Sequence, residues 1–154
     1  SLHSLSKRSN LPGFRSGMVC GDKILIKNFK KYRSFHGVSI PIPIQIASSE
    51  AWRDEKFVLN NRDFYNENFY LANKILDYKE PDGAFYFYLD ITKFNISSEE
   101  LAKKILNEIG VALTPGTDFD KKFGLRTLRL AFSIDNQKVI EAVTKLKKWF
   151  EQNY

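Results

Sequence analysis

Lys7 follows Ser4 by three residues and Ser6 by one, and Arg15 lies eight residues beyond it, past the turn-forming pair Pro12-Gly13. An amine, two hydroxyls and a guanidinium within one short segment suit an aldehyde cofactor that carries a phosphate. The amine condenses with the aldehyde, while the hydroxyls and the guanidinium take the phosphate oxygens. A planar guanidinium fork serves a phosphate better than a point charge does. A lysine used in this way must give up its proton readily, which burial and neighbouring cations promote. The chain has 24 Lys and Arg residues, and an arbitrary one is a solvated surface group. The flanking residues are what single out Lys7.

A second candidate lies towards the other end. Residues 126–133 alternate, with Leu128, Leu130 and Phe132 on one side and Thr127, Arg129, Ala131 and Ser133 on the other. Arg129 therefore stands mid-strand on a face of otherwise small residues. From the strand alone it reads at least as well as a surface arginine as it does as a functional group. Arg126 falls on the opposite face and reads as the surface member of the pair.

The elements that must position these groups are partly legible. In the first part, to about residue 57, a loop carries Lys7, a short strand covers 16–21, and Asp22 caps a helix through Tyr32. Residues 32–37 read as a loop, the proline-interrupted stretch 40–44 as extended or turning, and 45–52 as helix. From about 55 to 78 a long amphipathic stretch without Gly or Pro predicts a long helix. Pro81-Asp82-Gly83 then turns the chain into a strand over 84–91. Ser97 and Glu100 form a capping box for a helix ending at Gly110. A short strand is expected over 111–114, and Asp135 caps a last helix with Val139, Val143, Leu146 and Trp149 at helical spacing.

Composition sets the outer bounds. A chain of 154 residues that is 43% hydrophobic and 27% charged is globular rather than disordered. No apolar run approaches the ~20 residues of a membrane span, and the opening residues lack the pattern of a signal peptide. One cysteine, Cys20, excludes an internal disulfide, fits a reducing cytoplasm, and is expected to pack as a small apolar residue. The net charge of +6 is scattered among acids along the helices, which argues against a nucleic-acid partner. No cluster calls for a metal.

The segment from Ser4 to Gly17 resembles the cofactor-lysine motif of the fold-type I aminotransferases, S-x-S-K followed by G-x-R-x-G. Ser4, Ser6, Lys7, Gly13, Arg15 and Gly17 all occupy its positions. Pro81-Asp82-Gly83-Ala84-Phe85-Tyr86 is similar to the family's P-x-G-x-F-Y strand. Gly110-Val111 through Pro115-Gly116-Thr117-Asp118-Phe119, then Leu128-Arg129 through Ser133, resemble its G-V-x-x-x-P-G-x-x-F and L-R-x-x-x-S motifs. Within the family, residues 32–37 and 45–55 look most like succinyldiaminopimelate aminotransferases, with aspartate aminotransferases next.

The resemblance covers essentially the whole chain and implies an α/β fold. Residues 1–56 would be the C-terminal segment of the large cofactor-binding domain, 57–78 the interdomain helix and 79–154 the small α/β domain. It implies pyridoxal 5'-phosphate on Lys7, with its phosphate held by Arg15, Ser4 and Ser6. Arg129 would bind the substrate α-carboxylate, and Arg33 and His36 are candidates for reaching a partner subunit's site. Amino-acid and 2-keto-acid substrates and a homodimer follow from the same likeness. The family's acid for the pyridine nitrogen and its ring-stacking aromatic lie upstream of the lysine. This sequence is thus expected to be part of a larger enzyme and not to transaminate alone. The competing readings are a lyase on the same scaffold, an aminotransferase-like effector domain of a transcription regulator, and a basic binding module.

Overall fold

The computed structural model describes residues 1–37, 39–78 and 81–153. The chain divides into two compact units, Ser1–Arg62 and Asp63–Tyr154. In the first, strand β1 (Leu2–Ser4) pairs antiparallel with β2 (Gly17–Val19), with Ser4 opposite Gly17. Between them lie a one-turn helix, α1 (Leu5–Arg8), and a 3-10 turn at Pro12–Phe14. The segment expected to be a loop is thus a ribbon closed over a helical turn. Three-residue strands carry too little alternation to be read from sequence, because their partner lies across the turn. Helix α2 (Lys23–Arg33) starts where expected, with Asp22 Oδ1 accepting the Ile24 and Leu25 N–H groups at 2.9 and 3.0 Å.

Helix α3 (Ile42–Arg53) corrects a second expectation. It begins inside the proline-rich stretch rather than after it, with Pro41 at its N-cap and Pro43 in its first turn. Proline is tolerated there because the first-turn N–H groups have no intrahelical acceptor. Cys20 is also corrected: it is exposed rather than packed. Its N–H donates to Ser1 O at 3.0 Å and its carbonyl accepts from the Ser1 ammonium at 2.7 Å, so it ends the ribbon instead of entering a core. Much apolar surface of this unit is open, including Ile24, Leu25, Tyr32 and Phe35 on or just after α2.

Helix α4 (Glu55–Leu76) is the expected long amphipathic helix, and its later turns bury Asn68, Phe69 and Ala72 in the second unit. That unit holds a three-stranded antiparallel sheet, β3 (Tyr86–Asp90), β5 (Thr127–Ala131) and β4 (Thr114–Pro115), with β5 central. Leu128, Leu130 and Phe132 are buried as the alternation required. Rings of Phe69, Phe87 and Phe132 meet at 4.8–5.3 Å between centroids. Burying each contributes about 1.5–3 kcal/mol. Helices α5 (Ser98–Ile109) and α6 (Asn136–Asn153) cover the core with Leu101, Ile105, Val143 and Leu146. The strand expected over 111–114 shrinks to Thr114–Pro115. Val111 and Leu113 are buried, but outside the ladder. Among the described residues no helix is long and apolar enough to cross a membrane.

Both capping predictions for the second unit hold. Ser97 and Glu100 bond reciprocally, and Asp135 Oδ1 accepts the Lys138 N–H at 3.0 Å. The Lys138 amide lowers the Asp135 pKa, and the Thr117 hydroxyl does the same for Glu99. A carboxylate whose folded pKa is depressed contributes stability above its unfolded value and loses it as pH falls through the folded one. Acid titration below about pH 4 should therefore lower the melting temperature of the second unit. A melt unaffected down to the bottom of the carboxylate range would contradict these assignments.

Gly116 and Gly124 pack back to back. A Cβ on Gly116 would come within 2.0 Å of Thr127 Oγ1 and 2.6 Å of the Gly124 carbonyl. Replacing Gly116 by alanine should cost about 1–3 kcal/mol through overpacking. Calorimetry would read this as a lower melting temperature of the second unit, and an unchanged one would show that the contact yields without cost.

Candidate functional site

The lysine turn is fixed at its start. Ser4 is the N-cap of α1, and its hydroxyl oxygen accepts the Ser6 N–H at 3.1 Å. Leu5, with no exposed surface, donates its N–H to Ser16 O at 3.1 Å, and its own carbonyl accepts from Ser9 and Leu11 N–H, both at 3.1 Å. Gly17 lets the ribbon close, since a Cβ there would lie 2.6 Å from the His3 carbonyl. The motif thus requires glycine at 17 for close backbone approach. Gly13, by contrast, has open space where a side chain would go.

This frame presents Lys7 on the exposed side of α1, with Ser6 half-buried beside it. Arg15 follows the 3-10 turn in left-handed backbone conformation, φ 49° and ψ 33°, and its Nη1 donates to Pro12 O at 2.9 Å. No carboxylate pairs with Arg15 among the described residues. Two hydroxyls, an amine and a guanidinium fit a doubly charged phosphate and an aldehyde. Ser48 Oγ donates to Ser16 Oγ at 2.9 Å, inside a polar cleft of about 410 Å³ that Gly17, Gln45, Trp52 and Arg33 also line.

Arg33 and His36 share one turn. Arg33 Nη1 donates to the His36 carbonyl at 2.6 Å, and the His36 ring stacks on Tyr32 with centroids 4.3 Å apart. Both residues are exposed.

In the second unit Arg129 stands mid-strand on β5, opposite Tyr88 of β3 and Thr114 of β4. Its guanidinium carbon lies 4.5 Å from the centre of the Tyr86 ring and 4.4 Å from that of Phe119. Cation–π attraction to both rings holds the planar group in place, and its donors lie in its own plane for hydrogen bonds. One edge donor, Nη2, reaches Thr114 Oγ1 at 3.3 Å. Nε is buried without a hydrogen-bond partner, and among the described residues no carboxylate pairs with the group. A buried donor left unpaired is costly, so it marks a place for a ligand acceptor. Arg126 is exposed, the surface member of the pair.

Ser4, Ser6, Lys7, Arg15, Arg33 and His36 all belong to the first unit, and Arg129 to the second. The sequence reading assigned no role to Tyr86, Phe119 or Thr114, although all three sit within the quoted motifs. Pairing of β4 with β5 is what brings Thr114 beside Arg129. No local periodicity could have signalled it.

The profile of the family described as aminotransferase class I and II matches residues 1–146. An aspartate aminotransferase of Pyrococcus horikoshii is 31% identical over 97% of this chain and 40% of its own length. An LL-diaminopimelate aminotransferase of Maridesulfovibrio salexigens is 30% identical over 96% of this chain and 39% of its own. The crystal structure of an aminotransferase from Neisseria meningitidis superposes with a TM-score of 0.84 at 35% identity, covering 96% of this chain and 39% of that one. The chain therefore spans about 40% of the length of the curated relatives it matches.

Proposed function

Because the chain belongs to the class I and II aminotransferases, a pyridoxal-phosphate family, we propose that it is the part of such an enzyme that carries the cofactor lysine and the carboxylate clamp. Residues 1–56 are read as the end of the large domain, 57–78 as the connecting helix and 79–154 as the small domain. The observation that carries the reading is Arg129. Its guanidinium lies against two aromatic rings, with a buried Nε that nothing among the described residues satisfies.

Pyridoxal phosphate, when bound, supplies an aldehyde that condenses with amines and an electron sink for charge developing at the substrate α-carbon. Arg15, Ser4 and Ser6 would hold its phosphate and Lys7 its aldehyde end. The free Lys7 amine would take the substrate α-hydrogen as a proton and then give it up as an acid at another atom. Arg129 grips the substrate α-carboxylate through in-plane donors, and fixed orientation of the α-carbon is the larger part of what such a clamp contributes. Arg33 and His36 reach towards the site of a partner subunit in a homodimer.

The substrate pair we infer is a succinylated LL-diaminopimelate donor and 2-oxoglutarate, a step in lysine synthesis in the cytoplasm. Its support is the likeness of residues 32–37 and 45–55; the LL-diaminopimelate aminotransferases among the relatives support the diaminopimelate part alone. Aspartate is the second reading, favoured by the Pyrococcus horikoshii relative. The deciding experiment is borohydride reduction after incubation with pyridoxal phosphate, followed by peptide mapping, on a form that includes the missing length. A phosphopyridoxyl group on Lys7 is expected, whereas a modified lysine elsewhere would sink the reading.

A further inference from the structure

Arg8, next to Lys7 in α1, has its side chain only 17% exposed. Its guanidinium leaves α1 altogether. Nη1 donates to Ala51 O at 2.9 Å and to Ser9 Oγ at 3.2 Å, and Nη2 donates to Trp52 O at 3.2 Å. Nη2 also forms an ion pair with the Glu55 carboxylate, and the guanidinium carbon lies 5.1 Å from the centre of the Trp52 ring.

Ala51 and Trp52 lie in the last turn of α3, where backbone carbonyls have no intrahelical N–H to accept. Helix α3 has no glycine cap. Its C-cap is Asp54, at φ −79° and ψ 77°, whose N–H satisfies Glu50 O alone. Glu55 is the first residue of α4. One side chain thus terminates α3, places a cation at its negative end and ties down the first residue of α4. Only a five-donor planar fork can serve two carbonyls, a hydroxyl and a carboxylate together, and an ammonium cannot reproduce that geometry.

We propose that Arg8 is a positioning residue that fastens the turn carrying Lys7 to the junction of α3 and α4. The orientation of the lysine turn is then set from 43–47 residues away in sequence, not by its own four residues. The importance of that turn rests on the reading of Lys7 as the cofactor lysine; the mechanical coupling does not.

The test is amide hydrogen exchange on the 154-residue chain and its Arg8→Lys and Arg8→Met variants. Loss of charge-assisted bonds should speed exchange about tenfold at the Ser9 and Leu11 amides, both held by Leu5 O, and at Asp54. Leu130, in the ladder of the second unit, should not change. Acceleration at Asp54 with Ser9 and Leu11 unmoved would overturn the proposal, because Arg8 would then cap α3 without holding the lysine turn. Should the arginine variants fail to fold, Glu55→Gln keeps the backbone contacts and should give the same pattern at a few-fold. No change there would equally overturn it.

A second readout is one that general loosening would not produce. Reductive labelling by pyridoxal phosphate, on the form that includes the missing length, should fall at Lys7 relative to Lys23 in Arg8→Lys, although the charge is kept. If Lys7 is not labelled in preference to Lys23 even in the unaltered long form, while the exchange pattern appears, the coupling is supported. The reading of Lys7 is then what fails.

Discussion

Replacing Arg129 by alanine in the intact enzyme is expected to lower kcat/KM for α-amino acids by about 30-fold to several thousand-fold. That range corresponds to the roughly 2–5 kcal/mol lost when one partner of a buried, hydrogen-bonded charge pair is removed. The structure makes the expectation specific. Arg129 is held against Tyr86 and Phe119, with Thr114 on one donor and a second donor, Nε, buried and unsatisfied. Lysine at the same place keeps the charge but loses both the fork and the stacking area, so Arg129→Lys should recover little. A paired measurement isolates the carboxylate. An amine substrate lacking it should react equally slowly with the native and variant enzymes. If both substrates suffer the same loss, Arg129 is a structural strand residue and the clamp is wrong.

The second large effect falls on Lys7. Lys7→Ala should abolish the phosphopyridoxyl adduct expected at that position. It should also slow exchange of the substrate α-hydrogen with solvent deuterium by at least the 10²- to 10⁴-fold that a positioned acid–base group supplies. Exchange is the sharper readout, because it reports proton movement at one atom whatever the amino acceptor. Undiminished exchange in Lys7→Ala would remove Lys7 from the chemistry, leaving it an exposed residue on a short helical turn. Since the site motif begins with Ser4 and ends with Gly17, this outcome would also strip the motif of its chemical meaning here. Gly17 would then be explained by ribbon closure alone.

What could be read from the chain beforehand follows a physical divide. Features whose cause is local were legible: the Ser97–Glu100 capping box, the Asp22 and Asp135 caps, the alternation that buries Leu128 and Leu130, and the helical spacing of α6. Each depends on residues within a turn or two of one another. Features whose cause is a distant partner were not. The β1–β2 ribbon needs Ser4 to meet Gly17, and the short β4 needs its register with Leu128 and Arg129. The prolines near α3 misled because their effect depends on position. Pro43 falls in a first turn, where its missing N–H does no harm. The candidate site divides the same way. Lys7, Arg15 and Arg129 announced themselves by residue type and motif. The Tyr86 and Phe119 contacts and the reach of Arg8 to the end of α3 depend on folding.

The open face of α2 bears on how this polypeptide behaves in a cell. Ile24 and Leu25 are 69% and 67% exposed, and Phe35, just past the helix, is 80% exposed. Apolar surface in that quantity, flanked by Lys23, Lys27, Lys30 and Lys31, is what chaperones grip and what drives a nascent chain to self-associate. Synthesised by itself, the chain would be a chaperone client whose yield is decided by how fast that helix finds cover.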